Sequence, residues 1–566
     1  MRDGLGDGYT EALRLAWKKF KPNSWDFVMY WWHQSAELVR DGKVEQFGLI
    51  TTNSIHQTFN RRCIEPFLAN DKKPISITYA IPDHPWVDSA DGAAVRIAMT
   101  VCVSGQTEGS FQEIISETEN LEGESNVNLR SKNGKINSKC EIGVDLASSK
   151  TLQANENISN RGFCLFGSGF IVSEELAIEL QKSSIPNVAS IIHDYRNGKD
   201  IANRPRGVKV IDAYGLTQKD FSHQHPAIYQ HVFNTVKPER DNNKRESRKK
   251  YWWIFGEPNK KLRDQRTKLK RFIATGETSK HRVFTFLDIS ILPDNALVNF
   301  AIDSAITFSC LSSSLHVIWA LSNGGRLEDR PVYNKSRCFE TFPFPDITDP
   351  ALKKRLTELG ERLDSHRKAR QAEHPELTLT GMYNVLEKIR AEEPLNDKEK
   401  VIHDQGLVTL LKQIHDDIDA ATYEAYGWSD IWQWHQDCLS GTCYDPEDGT
   451  ICQLELGPET SIHEATAEYR EKYDQVLLHR LVDLNHLRAA EEAKGKIRYL
   501  RPDYQDPENT QDTQQEKTRE LALPAADIAK DITASKVKAK TAKLKWPKEL
   551  PKHCLLYTSP SPRDRG

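Results

Sequence analysis

The stretch WDFVMYWWHQSAELVRDGKVEQFGLITTNS, Trp25 to Ser54, constrains the fold more than any other part of the chain. Phe27, Val28, Trp31, Trp32, Ala36, Leu38 and Val39 recur at three- and four-residue spacing, as one buried helix face requires. Asp26 is positioned to cap that helix, Asp41-Gly42 supplies a turn, and Phe47–Ile50 is a short apolar run between polar residues. Helix, tight turn and buried strand follow one another, which is the grammar of an α/β sheet. Ile75–Ile81 reads as a second strand, and AAVRIAMTVCV, after the loop PDHPWVDSADG, as a third. Residues 1–105 therefore predict the end of an α/β sheet whose first part is not in this sequence.

The pattern then changes three times. Residues 106–160 are rich in Glu, Asn, Ser, Gly and Lys with few apolar positions, and read as a polar insert or linker. Residues 161–345 carry short apolar runs between Gly, Asn and Pro turns, interrupted by a basic tract, and read as a mixed α/β domain. Residues 346–553 show helical periodicity with charged outer faces, as in ALKKRLTELGERLDSHRKARQ, and read as a helical C-terminal domain. The last thirteen residues, CLLYTSPSPRDRG, 554–566, resemble translated sequencing-adapter DNA and are set aside from fold reasoning.

Composition limits the function classes. A net charge of -4, with 28% charged and 38% hydrophobic residues, suits a soluble globular protein, so any nucleic-acid surface must be local. The ten cysteines are scattered and follow no secretory leader, which points to reduced thiols in a cytosolic setting. No apolar run approaches the ~18 residues of a membrane helix. His435, Cys438, Cys443 and Cys452 lack the close paired spacing of a zinc site, and no metal is expected.

The tract Lys237–Arg282 holds 16 Lys or Arg against 6 Asp or Glu, interleaved with aromatics. Cations neutralise phosphates while aromatics pack or stack, so Arg248, Lys249, Lys250, Tyr251, Trp252, Lys280 and Arg282 are candidate DNA contacts. A solvated helix face is the plainer reading of the run alone. Two turn-rich segments add Arg196, Lys199, Arg204 and Arg206, then Asn334, Lys335 and Arg337; Arg and Asn can pair with guanine and adenine edges. The glycines of the opening DGLGDGY read as a plain loop. CLFGSGFIVSEELAIEL, with Asp194 further on, offers the one candidate cofactor loop, but Gly167-Ser168-Gly169 sits between two apolar runs as a hairpin turn would. No Asn-Pro-Pro or Asp-Pro-Pro, the motif that binds an adenine amino group for methyl transfer, occurs in the chain.

DFVMYWWHQSAELVRDGKVEQFGLITTNSIHQTFNRR resembles the segment after the catalytic loop of adenine-specific DNA methyltransferases, especially MmeI-like enzymes that fuse restriction, modification and recognition. NGKDIANRPRGVKVIDAYGL, KKYWWIFGEPNKKLR, FIATGETSKHRVFTFLD, LSSSLHVIWALSNGGRL and YNKSRCFETFPFPD resemble that group's target-recognition domain. The resemblance implies a Rossmann-like methyltransferase sheet represented by its C-terminal part, S-adenosylmethionine as cofactor of the complete enzyme, and double-stranded DNA as partner. It implies that the catalytic motif lies upstream of this chain, which is then an inactive fragment retaining recognition; a non-enzymatic specificity subunit working with a separate catalytic chain is the alternative. By the same resemblance Asp26, Phe27 and Asn53 edge the cofactor and base pocket. Trp86 falls where related enzymes place an aromatic against the flipped adenine, or else is a loop-packing tryptophan.

Overall fold

The computed structural model describes residues 6–508, apart from 21, 23–24, 57, 69, 71, 87–94, 120–124, 187, 328–329, 440–441, 445–450 and 454–461. The tail at 554–566 lies outside the described residues. Met1–Arg501 form one compact unit and Pro502–Gly566 a second, of which the short helix Pro502–Gln505 is described.

Helix Phe27–Arg40 forms as its periodicity predicts, with a buried stripe of Met29, Tyr30, Trp32, His33, Ala36 and Val39. The stripe is rotated from the expected one: Trp31 faces outward at 61% exposure. The turn at Asp41-Gly42 leads into β1 (Gln46–Thr52), which pairs antiparallel with β3 (Val95–Ser104); β3 also pairs antiparallel with β2 (Ile75–Trp86). The sheet order is β1-β3-β2-β4-β5, so one edge of β1 has no strand partner among the described residues.

β4 (Gly109–Glu119) and β5 (Ser125–Gly134) correct the reading of 106–160 as an insert or linker. They form an antiparallel ribbon joined in parallel to β2 at Tyr79↔Ser110 and Ala80↔Phe111. Polar cross-strand pairs hold the ribbon: Arg130 to Glu113 at 2.8 Å, Ser110 to Ser131 at 3.0 Å, and Asn128 to Ser116 at 2.9 Å. Of its described side chains Phe111 is the large apolar one that is buried, which is why hydrophobicity could not reveal these strands.

Beyond them lie two small sheets. One has the order β11-β10-β13-β6, built from β6 (Ser159–Arg161), β10 (Arg271–Gly276), β11 (Thr285–Asp288) and β13 (Leu297–Phe300). The other has the order β12-β8-β9-β7, built from β7 (Ile171–Val172), β8 (Ile192–Arg196), β9 (Lys209–Ile211) and β12 (Leu292–Pro293). Phe163, Phe170, Tyr195, Phe221, Val232, Trp252 and Phe255 pack into one core beside the second sheet.

The helices expected after 346 form, but they do not stand apart. Helix Pro350–Glu373 lies on helix Ala305–Ser312, and a Cβ on Gly360 would sit 2.5 Å from the Ala305 carbonyl, so only glycine permits this approach. Asp364 accepts from the Phe286 amide at 3.1 Å, and Arg367 donates to the Phe284 carbonyl at 2.8 Å, tying the helix to β11 and the residue before it. Helix Ile462–Glu492 returns to the start of the recognition region, where Asn485 exchanges two hydrogen bonds with the Lys150 backbone, both at 2.8 Å.

Among the described residues no single helix is long and apolar enough to cross a membrane. The side chains of His435, Cys438, Cys443 and Cys452 lie outside the described residues.

Candidate nucleic-acid interface

Asp26 and Asn53 meet at one end of β1. Asp26 occupies the cap position of helix Phe27–Arg40, yet its carboxylate does not cap it; it accepts from Ser54 Oγ at 2.6 Å and Asn60 Nδ2 at 2.8 Å. Asn60 in turn accepts from the Asp26 amide at 2.9 Å. Asn53 donates to Asp83 at 3.1 Å, and Asp83 also receives Arg96 Nε at 2.6 Å. The two residues therefore form a fixed polar rim, Asp26 held by neutral donors and Asn53 by the Asp83–Arg96 pair. Phe27 stands beside it, 37% exposed and edge-on to Trp31 at 6.4 Å. The backbone of Trp86 ends β2 opposite Val95; its side chain lies outside the described residues.

The basic tract divides by residue type. All seven of its arginines are engaged within the fold. Arg240, 1% exposed, donates to the carbonyls of Leu165 at 2.8 Å and Ile254 at 3.2 Å. Arg263 forms a two-pronged pair with Asp212 at 2.7 and 3.0 Å. Arg266 caps the Ile289 and Ile291 carbonyls, and burial pushes its pKa down to about 10. Arg271 pairs with Glu361, and Arg245 approaches Glu257 at 3.6 Å. Arg248 lies 3.6 Å above the Phe166 ring and 3.2 Å from Glu257. Arg282 is buried against the Gly276 and Pro331 carbonyls and over the Tyr333 ring, with burial lowering its pKa.

This burial corrects three expected contacts. Trp252, 3% exposed, packs on Tyr229, Phe233 and Trp253, Arg248 is buried against the Phe166 ring and Glu257, and Arg282 spends its donors on the Thr275 hydroxyl and two carbonyls; none of the three is free at the surface. A guanidinium can satisfy several carbonyls at once through its planar donors, which suits it to interior positions, whereas an ammonium is more strongly hydrated. Lysines accordingly stay outside. Lys249 pairs with Glu246 at 3.0 Å, and Lys280 is held by Asn384 at 2.7 Å and Glu387 at 3.4 Å. Lys250 lies over the exposed Tyr251 ring at 5.4 Å. Lys244, Lys260, Lys268 and Lys270 are exposed, and no hydrogen-bond or ion-pair partner holds them among the described residues. Charge patterning did not single out these four. Their signal was present: in a tract where arginines fold the domain, lysines are the cations left to solvent.

The turn-rich segments are more constrained than expected. Arg206 forms a two-pronged pair with buried Asp200 at 2.9 Å, and Asp200 completes a capping box with Asn197. Arg204 is clamped by Glu376 at 2.9 and 2.7 Å, and Arg196 donates to the Tyr195 carbonyl at 3.2 Å. Lys199 is exposed with no such partner. Asn334 caps the short helix Lys335–Cys338, accepting from the Ser336 amide at 3.1 Å, while Lys335 pairs with Glu340 at 2.5 Å. Arg337 donates to the Asn323 carbonyl at 3.4 Å.

The candidate cofactor loop is filled by protein. A Cβ on Gly169 would lie 2.2 Å from Thr235 Oγ1, at the end of helix Pro226–Thr235, so this glycine serves close packing rather than approach to a ligand. Asp194 pairs with Lys209 at 2.9 Å. These residues do not fit a cradle for S-adenosylmethionine.

Residues 149–346 match the family described as MmeI, target recognition domain. This span contains both small sheets and the basic tract, and is an MmeI-like recognition domain. The fold is similar to the solved structure of the type IIL restriction-modification enzyme MmeI in complex with DNA: TM-score 0.53 at 17% identity, over 82% of this chain and 52% of that one. At that identity the likeness speaks to fold alone, and the chain spans about half the length of the structure it matches. No curated protein matches the chain.

Proposed function

We propose, with the MmeI-like recognition domain of residues 149–346 as premise, that the chain binds double-stranded DNA at specific sites as the recognition part of an adenine-methylating restriction-modification enzyme. The family match over that span carries this reading. The MmeI structure of similar fold is a complex with DNA, which supports the same partner here. Lys199, Lys244, Lys250, Lys260, Lys268 and Lys270 are the cations free to neutralise phosphates, with Lys249 and Lys280 able to exchange an exposed ion pair for a phosphate and Lys335 held in a partly buried pair with Glu340. Arg196, Arg204, Arg206, Asn334 and Arg337 shape the turns from which base edges are read, and Tyr251 offers an exposed ring.

A methyltransferase origin is supported by the N-terminal sheet, in which helix Phe27–Arg40 packs on the antiparallel run β1, β3 and β2 and the Asp26–Asn53 rim lies at the end of the edge strand. S-adenosylmethionine would supply the methyl group for the amino nitrogen of an adenine turned out of the duplex. The Gly167–Gly169 loop is filled by protein and offers no cradle for it, and the sequence contains no Asn-Pro-Pro motif. We therefore assign recognition to this chain and the chemistry to residues that would pair along the edge of β1 that no described strand covers. The experiment is to incubate the purified chain with duplex DNA and labelled S-adenosylmethionine. Saturable, sequence-selective binding without label transfer is expected. Transfer by this chain alone would sink the division of labour, and absence of any DNA binding would sink the recognition reading.

A further inference from the structure

A cleft of about 840 Å³ opens where the N-terminal sheet region, the recognition domain and helix Ile462–Glu492 meet. Arg61 on helix Thr58–Leu68, Lys139 after β5, and Arg337 on helix Lys335–Cys338 all line it. These three cations come from segments far apart in sequence. The carboxylate among the lining residues is Glu141, and Gln475 closes the far wall, its side-chain oxygen accepting from the Val144 amide at 3.0 Å.

Arg61 is the telling residue. It is 5% exposed, and its guanidinium has neither a hydrogen bond nor an ion pair among the described residues; its Nε is enclosed without an acceptor. Every buried arginine of the basic tract has carbonyls or a carboxylate to hold it, so Arg61 is an exception to this protein's own habit. Lys139 makes one bond, to the Ser322 carbonyl at 3.0 Å, and Arg337 one long bond to the Asn323 carbonyl at 3.4 Å. Burial holds all three below their ordinary pKa values, and Arg61 acts against both Lys139 and Arg337. Glu141, Glu65 and Asp145 relieve this in part through space. His56, also at the wall, is held neutral by burial. An uncompensated buried cation is costly and is retained where an anion completes it.

We propose that this cleft is a binding site for a phosphate-type oxyanion, gripped by Arg61, Lys139 and Arg337. A planar guanidinium and an ammonium converging from separate walls suit the several acceptor oxygens of a phosphate. The site is separate from the exposed lysines of the recognition domain, and its existence does not depend on the DNA-binding reading. The phosphate can come from a backbone phosphodiester or from a small phosphorylated ligand.

The test is calorimetric titration of the full chain with inorganic pyrophosphate in chloride buffer. One saturable site is expected, weakened at least about tenfold in Arg61→Met and in Arg337→Gln. Arg61→Met should also melt no lower than the wild type, because it removes a buried charge that no described group hydrogen-bonds and that nearby carboxylates offset only in part; a purely structural arginine would behave in the opposite way. Displacement of duplex DNA by pyrophosphate, with weaker DNA binding in Arg61→Met, assigns the site to a backbone phosphate. Simultaneous binding of both, with DNA affinity unchanged in Arg61→Met, assigns it to a small ligand. Absence of saturable pyrophosphate binding, or wild-type binding in both variants, overturns the proposal.

Discussion

At the scale of single residues, the basic tract divides by type: arginines hold the fold and lysines face solvent. Arg240→Ala leaves two enclosed carbonyls without their donor and should cost on the order of 2–3 kcal/mol in urea denaturation. Lys268→Ala, at an exposed position, should change stability by less than about 0.5 kcal/mol and act on DNA affinity instead. Histidine sets the acid limit. His316 is fully enclosed, with its Nε2 2.9 Å from the Tyr333 hydroxyl, and burial pushes its pKa down to about 3. Its folded pKa lies below the unfolded value near 6.5, so the unfolded chain binds the proton first and stability falls as pH drops from about 6.5 towards 3. Between pH 7 and 5 the loss is about 2 kcal/mol from this residue, and His316→Gln should flatten that limb in melts across the pH range. None of these roles was visible in the sequence, since Arg240, Arg248 and Arg282 stood in one charge run and only their buried neighbours distinguish them.

At the scale of elements, legibility followed apolar periodicity. Helix Phe27–Arg40 and β3 were readable because each buries a regular stripe or an apolar run, whereas β1, expected as a buried strand, is largely open to solvent, with Ile50 56% exposed. The β4–β5 ribbon was not, because its partners are hydroxyls, amides and opposite charges facing solvent. Asp26 and Asn53 were expected at a pocket edge by resemblance alone; the bonds of Asp26 to Ser54 and Asn60 depend on a helix start meeting a strand end, which no local pattern encodes. Helix Asp397–Gly406 begins with a capping box in which Asn396 and Glu399 satisfy each other's amides. Asn396→Ala should cost about 1 kcal/mol, measured by chemical denaturation, with no effect on DNA binding.

At the scale of the whole molecule, DNA affinity should depend steeply on salt despite the net charge of -4, because the lysines act locally. Replacing Lys244, Lys260, Lys268 and Lys270 together by alanine should reduce the slope of log affinity against log salt by about 0.9 for each phosphate those lysines neutralise, as read by fluorescence anisotropy. An unchanged slope would show that these lysines do not face the duplex. The sequence divided the chain at 346, yet Asp364, Arg367 and Gly360 carry the packing across that point, and Asn485 binds back to Lys150. The seam between reading head and helical tail is therefore not a place to cut. Anyone grafting this recognition domain onto another enzyme to alter target choice would need to carry the helix Pro350–Glu373 with it, or leave the Phe284 carbonyl and Phe286 amide bare and Phe308 uncovered. Under the proposed function, specificity would travel as a larger cassette than the side chains that read the bases.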